Sequence, residues 1–151
     1  MVKSVEFCPE FYAVKLDPVR FPNTAMLSIT TPNMTAPLKE GWEHLLRVAF
    51  DDCETVLPIL DVKTGVSTDS VPFSEEMAES IIRFLKKLPT TVDHLIIHCH
   101  AGISRSASVS LFCHEYYDIV VEPKDYPRYK NMSNRVYETL NNVRDKLKSV
   151  K

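Results

Sequence analysis

Several residue patterns that mark common classes of protein are rare or absent in this chain. Only three glycines occur among 151 residues, so tight two-residue hairpins, which usually need glycine, should be few. No CxxC pair and no Cys–His ligand spacing links the four cysteines, which are Cys8, Cys53, Cys99 and Cys113. The sequence therefore indicates neither a disulfide scaffold nor a zinc site, and no metal is expected.

Neither sign of charge dominates, and long apolar runs are missing. The 18 basic and 20 acidic side chains leave a formal net charge of -2, which points to neither nucleic acid nor an anionic membrane as a partner. No apolar stretch approaches the roughly 18 residues of a membrane span, and the first residues lack the form of a signal peptide. We therefore expect a soluble, cytoplasmic protein.

The chain does contain enough apolar residues for a core, arranged in regularly alternating elements. Hydrophobic residues make up 44% of the sequence, and no repeat or low-complexity linker divides it, so residues 1–151 are expected to form one domain. Apolar runs predict strands at 5–7, 25–29, 42–50 and 94–98, and helical spacing predicts helices over 74–88, from 104 onward and over 133–148. Such alternation favours an α/β fold with a central, mostly parallel sheet flanked by helices.

The most informative stretch is HCHAGISRS, residues 98–106. A buried strand should end at Cys99, turn at Gly102 and give way to a helix near Ser104. A loop of this kind directs backbone N–H groups into one concavity at a helix N-terminus, which favours a bound anion. Arg105 adds a planar set of donors that suits two phosphate oxygens. The pattern predicts a phosphate site formed by the residues that follow the cysteine: His100, Ala101, Gly102, Ile103, Ser104 and Arg105.

The same surroundings should make Cys99 reactive. Helix N-termini and cationic groups favour the thiolate form of a cysteine, so we predict a thiolate at neutral pH. Attack on a phosphate monoester would form a phosphocysteine intermediate while Arg105 holds the equatorial oxygens. Ser106 is expected to donate a hydrogen bond to the departing sulfur, and His98 is expected to brace the loop. The other interpretation, an inert buried cysteine, leaves the spacing of the remaining residues unexplained.

The pattern His-Cys, five residues, Arg-Ser, with glycine three positions after the cysteine, resembles the signature of the cysteine-dependent protein tyrosine phosphatases. It is most similar to the small dual-specificity branch. The resemblance covers residues 98–106 and the order of elements around them. It implies a single catalytic domain over residues 1–151, which hydrolyses phosphotyrosine and also phosphoserine or phosphothreonine in a phosphoprotein or phosphopeptide. No cofactor is implied.

Ester cleavage also needs an acid that protonates the leaving oxygen, an effect worth roughly 10²–10⁴-fold. In the dual-specificity and regenerating-liver phosphatases, a strand followed by an aspartate carries this acid, and the Phe-Asp-Asp sequence after the predicted strand 42–50 is similar. The resemblance assigns the role to Asp52. Asp51, Asp61 and Asp69 remain alternatives, since the stretch 53–72 is longer than the compact family pattern.

Two further residues take expectations from the same resemblance. Asn134 is similar to the asparagine that follows a comparable loop and lies near the pocket, so it is expected to support the site. The same resemblance raises a protective disulfide between Cys53 and Cys99 under oxidation, such as a second cysteine forms in some relatives, and the sequence leaves this pairing open.

Other functions fit the sequence less well. The loop holds no lysine, which disfavours inositol lipids as substrates. RNA 5′-triphosphatases share the Cys-to-Arg spacing, but they need a broad basic surface, and they remain a lesser alternative. If the acid is missing, the chain becomes an inactive module that binds phosphate without turning it over.

Overall fold

The computed structural model describes residues 1–149. Its strands are β1 (Ser4–Pro9), β2 (Thr24–Thr30), β3 (His44–Ala49), β4 (Pro58–Leu60), β5 (Ser67–Asp69) and β6 (His94–Cys99). Its helices are α1 (Glu10–Ala13), α2 (Glu75–Lys87), α3 (Arg105–Tyr116) and α4 (Asn134–Ser149), with 3₁₀ turns at Pro18–Arg20 and Pro123–Tyr129. Within residues 1–149, no helix is both long enough and apolar enough to cross a membrane.

The main sheet has four parallel strands in the order β1-β6-β2-β3. Its two inner strands, β2 and β6, are almost wholly buried, as expected for parallel strands covered on both faces. The predicted α/β fold with a central, mostly parallel sheet is confirmed. Parallel pairing brings the carboxyl ends of the strands to one edge, where Cys99 ends β6 and Phe50 directly follows β3.

Three helices cover one face of the sheet. Helix α2 begins at Ser74, whose Oγ accepts the N–H of Met77 at 3.3 Å, and its buried stripe is Ala78, Ile81, Ile82 and Leu85. Helix α4 packs against α2 and α3 through Val136, Leu140 and Val143. Burying such apolar stripes supplies most of the stability of amphipathic helices.

The other face of the sheet has a thinner cover. A smaller apolar cluster around Met26, Ile96 and Trp42 takes in Ala13 of α1 and Leu38. The stretch 31–43, which contributes Leu38 and Trp42 to this cluster, is irregular, and its Pro32 and Pro37 disfavour a helix. Helices therefore flank the sheet unequally, with only the one-turn α1 on this side.

The long stretch after β3 contains a hairpin that the sequence does not predict. Strands β4 and β5 pair antiparallel, and Gly65, one of the scarce glycines, takes a φ of +71° in the turn between them. Three-residue strands carry too little periodicity to be recognised in a sequence. The hairpin packs few of its aliphatic side chains, and those exposed are Val56, Leu57, Ile59, Leu60, Val62 and Val66.

Candidate functional site

The loop between β6 and α3 lies directly on the end of β1. His100 accepts a hydrogen bond from the Glu10 N–H through its carbonyl oxygen at 3.2 Å. Gly102 has a φ of +71°, and a Cβ atom there would lie 2.4 Å from the backbone nitrogen of Pro9. Glycine is therefore required at this position twice, for its backbone conformation and for the close approach of β1.

Replacing Gly102 with alanine is expected to deform the loop and to lower the free energy of unfolding by more than about 2 kcal/mol. Gly65→Ala is a matched control, because Gly65 has the same φ of +71° but no atom within 4 Å of its would-be Cβ. Gly65→Ala should lower the free energy of unfolding only through the unfavourable backbone conformation, by about 1 kcal/mol. Urea unfolding of both variants measures the difference, and equal losses would contradict the predicted close packing.

Two hydrogen-bonding groups converge on the sulfur of Cys99. Ser106 Oγ lies 3.1 Å from Cys99 Sγ, and the Gly102 N–H donates to the same sulfur at 3.3 Å. Cys99 itself is only 2% exposed. Ser106 is within hydrogen-bond distance of the sulfur, which sits inside the turn, beside the start of α3; its role in the reaction stays a prediction.

Arg105 joins this loop to the end of β3. Its Nη1 donates to the carbonyl oxygen of Phe50 at 2.7 Å, and its guanidinium carbon lies 5.9 Å from the centre of the Phe50 ring. The side chain is 7% exposed. This contact fixes the chain just before Asp51 and Asp52 next to the loop that holds Cys99.

His98 contacts the neighbouring strand of the sheet, and its role in bracing the loop stays a prediction. Its Nε2 lies 2.6 Å from the hydroxyl of Ser28 on β2. Nδ1 is buried and has no hydrogen-bond partner within the described part of the chain. Burial lowers the pKa of His98 below its usual 6.5, so the ring is neutral in the folded protein at neutral pH.

The buried His98 should make the fold sensitive to acid. The unfolded chain takes up this proton near pH 6.5 and the folded chain only at lower pH, so protonation favours unfolding. Stability is full above that value and falls as pH drops below it, by at most about 1.4 kcal/mol per pH unit. Urea unfolding of wild type and His98→Asn at several pH values below 6.5 tests this prediction. The free energy of unfolding should fall more steeply with decreasing pH in the wild type, and equal slopes would contradict the prediction.

The four candidate aspartates differ in what their carboxylates contact. Oδ2 of Asp51 accepts the Val71 N–H at 2.8 Å, and Oδ1 of Asp61 accepts the backbone N–H groups of Lys63 and Thr64. The Asp51 carboxylate thus ties together two segments 20 positions apart, whereas the Asp61 carboxylate stabilises a turn.

Asp52 and Asp69 are exposed, and neither side chain makes a hydrogen bond to another described residue. They differ in position, because Asp69 belongs to the hairpin. Asp52 is two residues beyond the Phe50 carbonyl that Arg105 binds, within about 7 Å of chain length. The role of Asp52 stays a prediction.

The remaining predicted site residues lie apart from the sulfur or have other partners. Cys53 is half-buried and its Sγ donates to the Ser70 hydroxyl at 3.4 Å, so its pairing with Cys99 stays a prediction. Asn134 is exposed at the start of α4 and makes no side-chain hydrogen bond among residues 1–149. Cys8 pairs in register with His98 on β6, and burial raises its pKa to about 12, so it remains a thiol.

Two polar residues of the site are not singled out by the sequence analysis. Buried Ser108 accepts the Ser133 N–H through Oγ at 2.6 Å, and its hydroxyl lies 2.9 Å from the Ser104 and Ser133 carbonyl oxygens. It ties the start of α3 to the start of α4. Arg135 on α4 donates to the carbonyl oxygens of Phe73 and Glu54. In the sequence, the serines within residues 104–110 give a weak indication of the role of Ser108, and nothing indicates the role of Arg135.

Among the described residues, no group of three or more His, Cys, Asp or Glu side chains is placed to hold a metal ion. No family model matches the chain, and no curated protein matches it. Among solved structures, it is similar to the crystal structure of the Trypanosoma brucei protein tyrosine phosphatase TbPTP1, with a TM-score of 0.39 and 12% sequence identity. That match covers 88% of this chain and 64% of the trypanosome chain, so it spans less than two thirds of that protein.

Proposed function

We propose that this chain is a phosphatase that cleaves phosphate monoesters with Cys99 as nucleophile. The observation that carries the proposal is the pair of groups at the sulfur, Ser106 Oγ at 3.1 Å and the Gly102 N–H at 3.3 Å. Both can stabilise negative charge on the sulfur, before it attacks and after it leaves. They stand at the start of α3, where unpaired N–H groups and the helix dipole favour a phosphate.

In the proposed reaction, the thiolate attacks phosphorus, a sulfur–phosphorus bond forms, and the bond from phosphorus to the ester oxygen breaks. Arg105 holds two phosphate oxygens as charge develops on them. Asp52 gives its proton to the leaving oxygen. A water molecule then attacks phosphorus as Asp52 takes up its proton, the sulfur–phosphorus bond breaks, and inorganic phosphate leaves with the thiolate restored. Neither a metal nor another cofactor is needed for any step.

The proposed substrates are phosphotyrosine and also phosphoserine or phosphothreonine in proteins. The loop between the nucleophile and Arg105 holds no lysine, aspartate or glutamate, and its side chains that face solvent are His100, Ala101 and Ile103. A loop without lysine suits a monoester dianion better than a polyphosphorylated headgroup or RNA end. The chain would thus act on phosphoproteins as a phosphatase of the dual-specificity subtype.

The test is hydrolysis by the reduced, intact chain in the presence of EDTA. The substrates are 4-nitrophenyl phosphate and three peptides of one sequence that carry phosphotyrosine, phosphoserine or phosphothreonine. Release of inorganic phosphate is expected for the aryl ester and the phosphotyrosine peptide, with slower release from the other two. Binding of inorganic phosphate without turnover, from mildly acidic to neutral pH, would contradict the proposal and identify a phosphate-binding module.

A further inference from the structure

Arg135 contacts both ends of the long segment that follows β3. Its Nη1 donates to the carbonyl oxygen of Glu54 at 2.5 Å, and its Nε donates to the carbonyl oxygen of Phe73 at 3.0 Å. One guanidinium therefore joins the residue where this segment leaves the core to the residue where it returns. A planar group with several donors can make both bonds at once, which the single ammonium of lysine does less well.

These contacts continue as far as the loop between β6 and α3 (residues 98–106), called the phosphate loop below. The ring of Phe73 packs against the ring of Phe50, with centroids 4.8 Å apart at 61°, and both side chains are almost fully buried. The carbonyl oxygen of Phe50 accepts the bond from Arg105. Asp52 lies on the short stretch between these anchors, held through Phe50 on one side and through Glu54 on the other.

The anchor on α4 is itself fixed to the helix that starts at the phosphate loop. Ser133, just before α4, donates its N–H to Ser108 Oγ on α3 at 2.6 Å, and Ser108 Oγ also lies 2.9 Å from the Ser104 carbonyl oxygen. Arg135 follows two residues later. Arg135 and α4 therefore hold Glu54 in a fixed position relative to the loop that carries Cys99.

We propose that Arg135 is a positioning residue for Asp52, an inference that rests on the proposed function. The side chain of Asp52 is exposed and makes no hydrogen bond of its own in the described part of the chain, so its backbone sets its position. A proton donor must stand within hydrogen-bond reach of the leaving oxygen, and a shift of about 1 Å can cost about 10²-fold in rate.

A second tie limits the size of the effect. Asp51 donates its N–H to the Val71 carbonyl oxygen at 2.7 Å, and its carboxylate accepts the Val71 N–H at 2.8 Å. Loss of Arg135 should therefore loosen the stretch that holds Asp52 without releasing it.

The test compares two aryl phosphates whose leaving groups differ in their need for a proton. Phenyl phosphate has a basic leaving group, whereas 2,4-dinitrophenyl phosphate leaves readily without protonation. For Arg135→Gln, kcat/KM, which reports formation of the phosphocysteine, should fall about 10- to 100-fold for phenyl phosphate and by less than about threefold for the dinitrophenyl ester. Arg135→Lys keeps one of the two contacts, so the difference in loss between the two esters should be intermediate.

Two controls separate positioning from general damage to the fold. Arg144→Gln changes another arginine of α4, whose guanidinium carbon lies 5.6 Å from the centre of the Phe112 ring. This variant should lower Tm, but any loss of kcat/KM should be the same for the two esters. In an Asp52→Asn background, Arg135→Gln should add no further loss for phenyl phosphate, because the group it positions is gone.

Equal losses for both esters, or losses that add to those of Asp52→Asn, would overturn the role of Arg135 and leave the proposed phosphatase intact. Absence of turnover by the unmodified chain would instead overturn both. A larger loss for phenyl phosphate than for the dinitrophenyl ester, which disappears in the Asp52→Asn background, would establish the inference.

Discussion

Replacement of Cys99 with serine is expected to reduce the hydrolysis of 4-nitrophenyl phosphate by about 10⁴-fold or more, since a hydroxyl is a far weaker nucleophile than a thiolate. The groups that face the sulfur, Ser106 Oγ and the Gly102 N–H, stay in place in this variant. Binding of inorganic phosphate should therefore persist while turnover disappears. Steady-state kinetics and calorimetric titration with phosphate measure the two effects on the same protein.

The other cysteines provide the control. Cys53 is half-buried and has a hydrogen bond of its own to Ser70, so Cys53→Ser should keep full activity under reducing conditions. Burial raises the pKa of Cys8 to about 12 and that of Cys113 further still, and both remain thiols. Activity that survives in Cys99→Ser, or that disappears in Cys53→Ser, would move the nucleophile away from the loop.

Asp52→Asn is expected to lower kcat/KM for phenyl phosphate, which reports formation of the phosphocysteine, by about 10²–10⁴-fold, because an amide cannot supply the proton that the phenoxide oxygen needs. The loss should be much smaller for 2,4-dinitrophenyl phosphate, which departs without protonation. The limb of the pH–rate profile that reports the acid should also disappear. Kinetics with both esters across mildly acidic to neutral pH measure all three effects.

Asp69→Asn is the matched control for this assignment, since both aspartates are exposed and belong to the same long segment. Asp69 lies on β5 of the hairpin, whereas Asp52 follows the residue bound by Arg105. Full activity in Asp69→Asn is expected. A loss confined to Asp69→Asn would transfer the role of the acid to the hairpin.

The parts that local sequence determines were predicted well. The loop 98–106, strand β6 and helices α2 and α4 follow from apolar periodicity, a glycine with positive φ and the serine that begins α2. Each of these signals acts over a few residues, so each can be recognised without knowledge of the fold.

The contacts that join distant segments could not be predicted. Arg135 and Glu54 are separated by 81 positions, and nothing near either residue indicates the bond between them. Asp51 and Asp52 are neighbours with the same side chain, and only the return of Val71 distinguishes them. The hairpin was missed because its strands are short and leave aliphatic residues exposed, against the usual pattern for strands.

The strand order also has a consequence for how the chain folds. Within residues 1–149, strand β1 pairs with β6 alone, and β2 pairs with both β3 and β6. During synthesis, β1 therefore has no strand to join until the chain has been extended by some 90 residues, as the pairing of Ser4 with His94 requires. Nucleation must close this large loop before its contacts contribute stability. Strand β6 pairs with both β1 and β2 and ends at Cys99, so the four-stranded sheet cannot be completed before synthesis has reached the loop 98–106.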